Sequence, residues 1–421
     1  MMDDSTLDPS LTSWVEVPDG SDFPIQNLPF GRFARAGESR GHVGVAIGDH
    51  VLDLRSARQA GLLEGMDTAG DFALLNRLLL GKPGVWRAVR ERVSELLSHN
   101  RYRSSVEPHL VRMQEVTMLR PMYTRDYVDF YSSMEHATNM GRMFRPDQEP
   151  LLPNWRWLPV AYHGRAGTIV ASGIHVRRPS GQIQSGDGPP RYEPTRELDF
   201  ELEVGFITGQ PHRLGEPIPI DRAREHIFGL VLVNDWSARD IQRWEYQPLG
   251  PFLGKSFATS ISPWVVTLDA LEPYQVPAPR QDPPPLPHLR LEDDHAYDVN
   301  LEVALATPGL KEPVVVSRTN LRYLYWTMAQ QLAHATSNGA IAEPGDLFAS
   351  GTISGPSPGS YGSLMELTWR GERPLTLPDG SSRTFLEDGD TVVMRGWCQA
   401  PGRPRIGFGE VRGTIVPSHP G

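Results

Sequence analysis

Residues 228–233 form an uninterrupted apolar run that stops at the polar pair Asn234-Asp235. A run of this length, bounded by residues that favour helix caps, predicts a buried strand that leads into a helix. Four polar side chains would then share one face of that helix, since they follow one another at i, i+4, i+7 and i+11. They are Asp235, Arg239, Gln242 and Tyr246. An acid, a guanidinium, an amide and a phenol are poor material for a core, so this face predicts an anionic or metal-bound ligand. A solvated face with an i,i+4 ion pair is the alternative.

The N-terminal part of the chain shows two other patterns. Short β-like runs occupy residues 32–35, 43–47 and 51–54, and apolar residues then recur at helical spacing from 70 to 98 with a break at 81–84. Residues 1–20 are polar and predict a loosely ordered lead. We therefore expect residues 1–118 to be a small β-rich unit followed by helices, with a boundary near Leu119-Arg-Pro121.

Strand-like segments dominate residues 119–421, which predicts a mainly β, α+β fold. These segments are residues 160–162, 168–170, 198–207, 264–268, 297–306, 347–350, 364–369 and 391–397. Residues 318–334 are the exception, because their apolar positions recur at helical spacing. The proline-rich residues 272–289 predict a surface excursion.

Composition narrows the class of protein. The chain has 421 residues, of which 39% are hydrophobic and 22% charged, so it can bury a sizeable core and is not globally disordered. The 40 glycines and 39 prolines favour many turns and short strands. A net charge of −10 argues against nucleic acid or an anionic membrane surface as a partner. The single cysteine, Cys398, excludes an internal disulfide. No segment is apolar enough to span a bilayer and no signal peptide is visible, so we expect a soluble cytoplasmic protein.

A first candidate site lies in the acidic segment 199–203. Strand periodicity places Glu201 and Glu203 on one face, with Asp199 beside them. Such carboxylates repel one another unless a cation or water screens them, and Mg²⁺ or Ca²⁺ prefers oxygen ligands of this kind. For an isolated pair of this type, an exposed strand face is the commoner outcome.

A second candidate site combines an acid with a histidine. Asp129 is a candidate ligand and His136 a candidate base, although a lone histidine is more often structural. His136 gains weight only if a carboxylate orients it. Glu366 lies in an otherwise apolar segment that we interpret as a strand, and a buried carboxylate needs a partner. A histidine could be the partner of the Glu366 carboxylate.

Other catalytic motifs are excluded. Residues 355–359 match the G-x-S-x-G pattern, but a nucleophile elbow needs a helix after the serine, and residues 364–369 predict a strand. The prolines and glycines around Ser357 instead indicate a turn. Zinc sites with thiolate ligands, H-E-x-x-H, Walker A and dinucleotide-binding motifs are absent from the sequence.

Several longer segments resemble the fumarylacetoacetase family, and the resemblance covers nearly the full length of the chain. They include Asp129-Phe-Tyr-Ser-Ser, His136-Ala-Thr-Asn, Leu158-Pro-Val-Ala-Tyr-His-Gly-Arg165, Asn234-Asp-Trp-Ser-Ala-Arg-Asp-Ile-Gln242, Gly254-Lys-Ser-Phe and Gly351-Thr-Ile-Ser-Gly-Pro. The resemblance implies an SH3-like barrel domain at residues 1–118, a catalytic mixed β-sandwich roll at residues 119–421, and a homodimer. A local departure is Met134-Glu135, where vertebrate relatives carry Arg-Gln. Glu135 would either raise the basicity of His136 or point to solvent.

The resemblance also implies an activity and a set of site residues. The activity is hydrolysis of the carbon–carbon bond of a small β-diketo acid, 4-fumarylacetoacetate, to fumarate and acetoacetate, the last step of tyrosine and phenylalanine degradation. The implied metal ligands for Mg²⁺ or Ca²⁺ are Asp129, Glu201, Glu203 and Asp235, with Lys255 and Thr259 at a second cation position. The implied catalytic residues are His136, Glu366, Arg239, Gln242 and Lys255. The implied substrate-binding residues are Tyr131, Arg145, Gln242, Tyr246 and Thr352.

Two alternatives remain open from the sequence. The first keeps the fold and changes the substrate to an acylpyruvate, or the reaction to decarboxylation or hydration of a small 2-oxo acid. The second is a non-catalytic β-rich module stabilised by Ca²⁺. A non-catalytic module would not need His136, Lys255 and Gln242 together, so these residues argue against the second alternative.

Overall fold

A computed structural model describes residues 5–38, 40–66 and 72–420. Its strands are β1 Phe30–Arg35, β2 His42–Ile47, β3 His50–Asp53, β4 Leu110–Arg112, β5 Val116–Leu119, β6 Tyr127–Phe130, β7 Ala161–His163, β8 Ile169–Ala171, β9 His175–Arg177, β10 Ser180–Ile183, β11 Arg191–Pro194, β12 Leu198–Asp199, β13 Leu202–Thr208, β14 Ile227–Asp235, β15 Ser237–Ala238, β16 Thr259–Ile261, β17 Trp264–Thr267, β18 Gln275–Pro277, β19 His295–Tyr297, β20 Asn300–Ala306, β21 Val314–Asn320, β22 Leu347–Ala349, β23 Leu375–Thr376, β24 Ser382–Arg383, β25 Thr391–Cys398 and β26 Ile406–Val416.

The helices are fewer and mostly short. The α-helices are α1 Leu54–Gln59, α2 Leu75–Leu79, α3 Pro83–Ser98, α4 Arg103–Val106, α5 Met134–Phe144, α6 Arg239–Glu245, α7 Leu268–Leu271, α8 Met328–Thr336 and α9 Leu364–Leu367. The 3₁₀ turns are Ser5–Leu7, Asn100–Tyr102, Glu107–His109, Met113–Glu115, Ala166–Thr168, Ile220–His226, Glu272–Tyr274, Pro287–Leu289, Leu321–Tyr323 and Pro358–Ser360. The expected mainly β, α+β class is confirmed. In the described part of the chain, no helix is both long and apolar enough to cross a membrane.

Two sheets pack face to face around strand β14. The larger sheet has 13 strands, with the order β4-β3-β2-β1-β17-β14-β13-β22-β6-β7 along its main path, and the second has the order β21-β20-β25-β26-β9. Every residue of β14 is buried. Leu232 faces the second sheet, where Gly396 of β25 leaves room for it, since a Cβ at Gly396 would lie 2.7 Å from Leu232 Cδ2. A side chain at residue 396 would therefore force Leu232 to move.

The opposite face of β14 packs on the N-terminal helices. Val231 and Val233 belong to a separate apolar cluster that includes Trp86, Val89 and Val93 of α3. Because side chains alternate along a strand, one apolar run supplies both cores. This explains why the run has no polar interruption.

The N-terminal strands join the main sheet through β1. Phe30 and Gly31 of β1 pair with β17, while residues 32–35 pair with β5. Among the described residues these pairings form an open path with β4 at its edge, so the expected SH3-like barrel is not confirmed. The boundary between residues 118 and 119 stays a prediction.

Part of the predicted N-terminal lead is ordered. Residues 1–4 lie outside the described residues, as do positions 70–71 of the predicted helical segment. Trp14 donates its backbone N–H to Leu97 O at 3.1 Å and its indole N–H to Leu96 O at 2.9 Å. Val15 is buried. The prediction of a loose lead was therefore wrong for this part, because residues 11–15 pack on the end of α3.

Three other predictions about elements were wrong. The first is the prediction that Asp235, Arg239, Gln242 and Tyr246 share one helix face. Asp235 is instead the last residue of strand β14, and Tyr246 is the C-cap of α6. Only Arg239 and Gln242 lie within that helix. Residues 318–320 belong to β21, and the helix starts only at Met328, where a capping box of Thr327 and Gln330 closes its first turn. The apolar residues of the strand and of the following 3₁₀ turn happen to recur at helical spacing, and this led to the wrong prediction of one longer helix.

The third wrong prediction is the strand at residues 364–369. This segment begins with helix α9. The Ser363 side chain caps the helix by accepting the backbone N–H of Glu366 at 3.3 Å. The Ser-x-x-Glu spacing is a capping-box signature that the apolar pattern obscured. The reason for rejecting a nucleophile elbow was thus wrong, but Ser357 is exposed, and among the described residues it forms hydrogen bonds only with Ser360.

Candidate active site

Four buried carboxylates converge where strands of the main sheet end. Asp129 lies on β6, Glu203 on β13 and Asp235 at the end of β14, while Glu201 precedes β13 and forms a bridge with Ser363. One oxygen of each of the four acids lies within 4.8 Å of the others. The predicted ligand set is therefore one cluster in space. Burial excludes the alternative of an exposed acidic strand face.

The cluster carries more negative charge than the protein neutralises. Asp129 Oδ1 and both Glu203 oxygens are buried and have no hydrogen-bond partner among the described residues. Burial and the charge of Asp235 raise the pKa of Asp129 well above its ordinary value, and burial and the charge of Asp129 do the same for Glu203. Orphaned carboxylate oxygens in such a cluster fit a hard divalent cation such as Mg²⁺ or Ca²⁺.

Lys255 and Thr259 hold part of this cluster. Lys255 Nζ lies 2.5 Å from Glu201 Oε2 and 2.9 Å from Asp235 Oδ2, and the Thr259 hydroxyl donates to Asp235 Oδ1 at 2.9 Å. Burial opposes ionisation of Lys255, but Asp235 and Glu201 raise its pKa. The Tyr162 hydroxyl also donates to Asp235 Oδ2, at 3.0 Å. Tyr162 was not among the predicted site residues, although it lies in one of the segments that carry the family resemblance.

His136 and Glu366 form a buried pair. His136 Nδ1 lies 2.7 Å from Glu366 Oε2, and both residues are at most 3% exposed. His136 occupies the first turn of α5, which Ser133 caps. Burial opposes ionisation of Glu366, but His136 and the surrounding hydrogen bonds lower its pKa. A carboxylate that accepts from Nδ1 leaves Nε2 of the imidazole as the proton acceptor.

Three more side chains hold the Glu366 carboxylate. The Asn139 amide donates to Oε1 at 2.9 Å, the Ser354 hydroxyl lies 2.9 Å from both oxygens, and the Ser363 hydroxyl donates to Oε2 at 2.8 Å. The sequence reasoning did not single out these three. Asn139 follows His136 by three positions on α5, so helical spacing was the available signal.

Arg239 links the acid cluster to a further buried acid. Its NH1 lies 2.7 Å from Glu201 Oε1, and its Nε donates to Asp199 Oδ2 at 2.8 Å. Asp199 also accepts the backbone N–H groups of Leu364 and Met365 at the start of α9. Asp199 therefore lies beside Arg239 and α9, and is not a member of the four-carboxylate cluster.

A cavity of about 820 Å³ opens onto these groups. Ten of the predicted site residues line it: Asp129, Tyr131, His136, Arg145, Glu201, Arg239, Gln242, Tyr246, Lys255 and Thr352. Thr352 Oγ1 is buried and has no hydrogen-bond partner among the described residues, which leaves it available to a ligand. The other four predicted site residues are not part of this lining: Glu203, Asp235, Thr259 and Glu366.

Glu135, the residue before His136, is partly buried. Its Oε2 is enclosed and lacks a partner among the described residues. Burial raises its pKa, and the Glu366 charge adds to the effect. Glu135 therefore does not point freely to solvent, and an effect on the basicity of His136 stays a prediction.

Comparison with known proteins identifies the family of the chain. The family model described as fumarylacetoacetate (FAA) hydrolase C-terminal matches residues 126–416, and the model described as fumarylacetoacetase N-terminal matches residues 26–121. The chain is 49% identical to the fumarylacetoacetase of Bos taurus over 415 residues, covering 96% of this chain and 99% of the relative. It is 50% identical to that of Arabidopsis thaliana over 421 residues, covering 97% and 99%.

Solved structures share the fold at lower identity. A fumarylacetoacetate hydrolase from Exiguobacterium antarcticum aligns with a TM-score of 0.53 at 18% identity, covering 93% of this chain and 99% of that chain. A putative HpcE protein from Mycobacterium smegmatis aligns with a TM-score of 0.53 at 21% identity, covering 92% and 99%. With both domain models matched along the chain and relatives about half identical over nearly its whole length, the chain belongs to the fumarylacetoacetate hydrolase family.

Proposed function

We propose that this protein hydrolyses the carbon–carbon bond of 4-fumarylacetoacetate to give fumarate and acetoacetate, the last step of tyrosine and phenylalanine degradation. The structural observation that carries the proposal is the buried His136–Glu366 pair, whose histidine lines the same cavity as Asp129 and Glu201 of the carboxylate cluster. The full-length relatives named fumarylacetoacetase support the choice of substrate. A module that only binds Ca²⁺ would have no use for the histidine–carboxylate pair.

His136 is proposed as the base that activates water. Glu366 fixes Nδ1, so Nε2 accepts a proton as the water oxygen attacks the carbonyl carbon. The bond from this carbonyl carbon to the first carbon of the acetoacetate fragment then breaks, and its electron pair remains on that carbon of the fragment. The proton held at Nε2 ends on that carbon. The new carboxyl group of fumarate releases the second proton of the water to solvent, so atoms and charge balance without any further reactant.

Arg239, Gln242 and Lys255 are proposed to stabilise the departing carbanion. Arg239 and Lys255 place two positive charges at the cavity wall, and Gln242 lies beside Arg239 with its Oε1 3.3 Å from Arg239 NH1. Preorganised charge of this kind is effective because it needs no rearrangement during the reaction. Without it the leaving group would be too basic to depart.

The ion is proposed to be Mg²⁺ or Ca²⁺, held by Asp129, Glu201, Glu203 and Asp235. When bound, it would polarise the keto oxygens of the substrate as a Lewis acid. Lys255 and Thr259 hold the Asp235 carboxylate through hydrogen bonds to its two oxygens.

Substrate binding is proposed to involve the remaining polar residues of the cavity wall. A guanidinium binds a carboxylate in bidentate fashion, so Arg145 suits a terminal carboxylate. Tyr131, Tyr246 and Thr352 supply hydroxyl groups on the same wall. We also propose a homodimer, which the family resemblance supports. The proposed location is the cytoplasm, which the single cysteine, Cys398, supports.

The test is direct mixing of purified protein with fumarylacetoacetate. Loss of the diketone absorbance, with fumarate and acetoacetate identified by NMR, is the expected result. Turnover of an acylpyruvate without turnover of fumarylacetoacetate would favour the first alternative. No turnover of either, with tight Ca²⁺ binding, would favour the non-catalytic module.

A further inference from the structure

The cationic side chains of the cavity wall differ in how they are paired. Lys255 and Arg239 contact the acids described above, and both NH groups of Arg243 donate to the Glu197 carboxylate, at 2.9 and 2.8 Å. Arg145 and Arg370 also line the cavity. Among the residues that the structure describes, these two arginines donate to backbone carbonyls, Pro150 O and Met143 O, and neither has a carboxylate partner, so their positive charges remain available to an anionic ligand.

The backbone holds Arg370 in an unusual conformation. Trp369 and Arg370 follow α9 with φ values of 50° and 57°, a left-handed region that non-glycine residues rarely occupy. The Arg370 N–H donates to Met365 O at 2.9 Å and so closes the end of α9. Left-handed residues of this kind cluster at functional sites, where the surrounding structure maintains them.

The guanidinium of Arg370 is fixed at the end of α5. Its NH1 donates to Met143 O at 2.9 Å, and its Cζ lies 4.8 Å from the centroid of the Phe144 ring. Arg145 is the next residue along the chain and is the C-cap of α5. Two uncompensated guanidinium groups are thus held at one end of one helix, on the wall of one cavity.

We propose that Arg370, together with Arg145, binds a terminal carboxylate of the substrate and so gives the enzyme its preference for diketo acids with a carboxylate at each end. The inference rests on the proposed function, whose substrate is a dianion. Each NH group not used for Met143 O can donate a charge-assisted hydrogen bond to that carboxylate. A purely structural alternative exists, since a cation at a helix C-terminus also stabilises the helix.

Three variants of Arg370 and one control separate these roles. Arg370→Met removes the charge, Arg370→Gln removes the charge but keeps an N–H donor for Met143 O, and Arg370→Lys keeps the charge. Arg373→Met is the matched control, because Arg373 is exposed and stacks 5.6 Å over the Trp369 ring, away from the cavity lining. Each variant is assayed with fumarylacetoacetate and with acetopyruvate, a diketo acid that has a single carboxylate.

A loss of carboxylate recognition changes KM and leaves kcat nearly unchanged. For Arg370→Met and Arg370→Gln we expect KM for fumarylacetoacetate to rise about tenfold, with less than about a twofold change in KM for acetopyruvate. Arg370→Lys should recover part of the loss, and Arg373→Met should match the wild type. Equal changes for the two substrates, or an unchanged KM for fumarylacetoacetate, would overturn the proposal. If Arg370→Met does not fold, Arg370→Gln carries the same comparison.

Calorimetry separates this inference from the proposed function. Fumarate, which has two carboxylates, is the ligand titrated. Crotonate, which has the same carbon skeleton with one carboxylate, is the comparison ligand. If the wild type fails to turn over fumarylacetoacetate, the proposed function fails, but tighter binding of fumarate to the wild type than to Arg370→Gln would still support the role of Arg370. Equal affinity of both proteins for fumarate, and also for acetoacetate, which carries the other terminal carboxylate of the substrate, would refute that role whatever the turnover.

Discussion

His136 Nδ1 lies 2.7 Å from Glu366 Oε2, although the two residues are 230 positions apart in the chain. The contact joins the first turn of α5 to the short helix α9. Because both side chains are buried, the carboxylate fixes the imidazole in one orientation. The site therefore depends on the relative position of two elements from distant parts of the sequence.

Replacement of His136 by alanine should abolish most of the activity. General base catalysis contributes roughly 10²–10⁴-fold, so kcat should fall by at least that order, and binding of the metal should be unaffected. Steady-state turnover of fumarylacetoacetate measures the loss. His175→Ala is the control, since His175 is exposed on β9. Near-normal turnover by His136→Ala would remove His136 from the mechanism.

Replacement of Glu366 by glutamine should make stability depend less on pH. The pKa of Glu366 in the folded protein is lowered, since His136 and hydrogen bonds outweigh the opposing effect of burial. Its contribution to stability is therefore present above the unfolded value of about 4.3 and is lost as the pH falls through the folded pKa. At pH 7 the variant should be less stable by about 1–3 kcal/mol, and the difference should shrink below about pH 4.

Urea unfolding at a series of pH values measures this difference. Glu372→Gln is the matched control, because Glu372 is exposed six positions further along the chain. A stability difference between Glu366→Gln and the wild type that stays constant down to pH 3 would contradict an ionised Glu366.

Replacement of Asp199 by asparagine should impair catalysis without removing any proposed ligand. Asp199 accepts from Arg239 Nε and from the first N–H groups of α9, so it sets the position of both. A misplaced catalytic group costs rate more than affinity, and we expect kcat to fall about tenfold or more with a smaller change in KM. Asp187→Asn, at an exposed position, is the control. Equal kinetics for the two variants would show that Asp199 does not position the site.

Replacement of Glu203 by glutamine should weaken metal binding. Both oxygens of Glu203 lack partners among the described residues, so they are available for coordination. Loss of a supporting residue typically lowers metal affinity 10–100-fold, and loss of a ligand should cost at least about that much. Calorimetric titration of chelator-treated protein with Mg²⁺ and with Ca²⁺ measures the affinity. Asp126→Asn, three positions before Asp129 and largely exposed, should bind like the wild type. Unchanged affinity in Glu203→Gln would contradict the four-carboxylate site.

Local sequence patterns determined the class of fold and many of its elements. The run at 228–233 is strand β14, and the helical spacing before residue 98 corresponds to α2 and α3. These patterns are informative because burial of a strand or one helix face imposes a period on the apolar positions. The pattern failed at Leu364–Leu367, because a helix of 4 residues is too short to show a helical period, and the Ser363 cap was the better signal.

The chemistry of the site was only partly contained in the sequence. The residues themselves suggested that Glu201 and Glu203 share a face and that Glu366 needs a partner, and the family resemblance supplied the remaining members. Only the tertiary structure showed that Asp199 turns to Arg239, that Asn139 holds Glu366, and that Arg370 faces the cavity beside Arg145. Such pairings depend on which elements meet in space, and the energy of a buried charge is decided by those neighbours and not by its position along the chain.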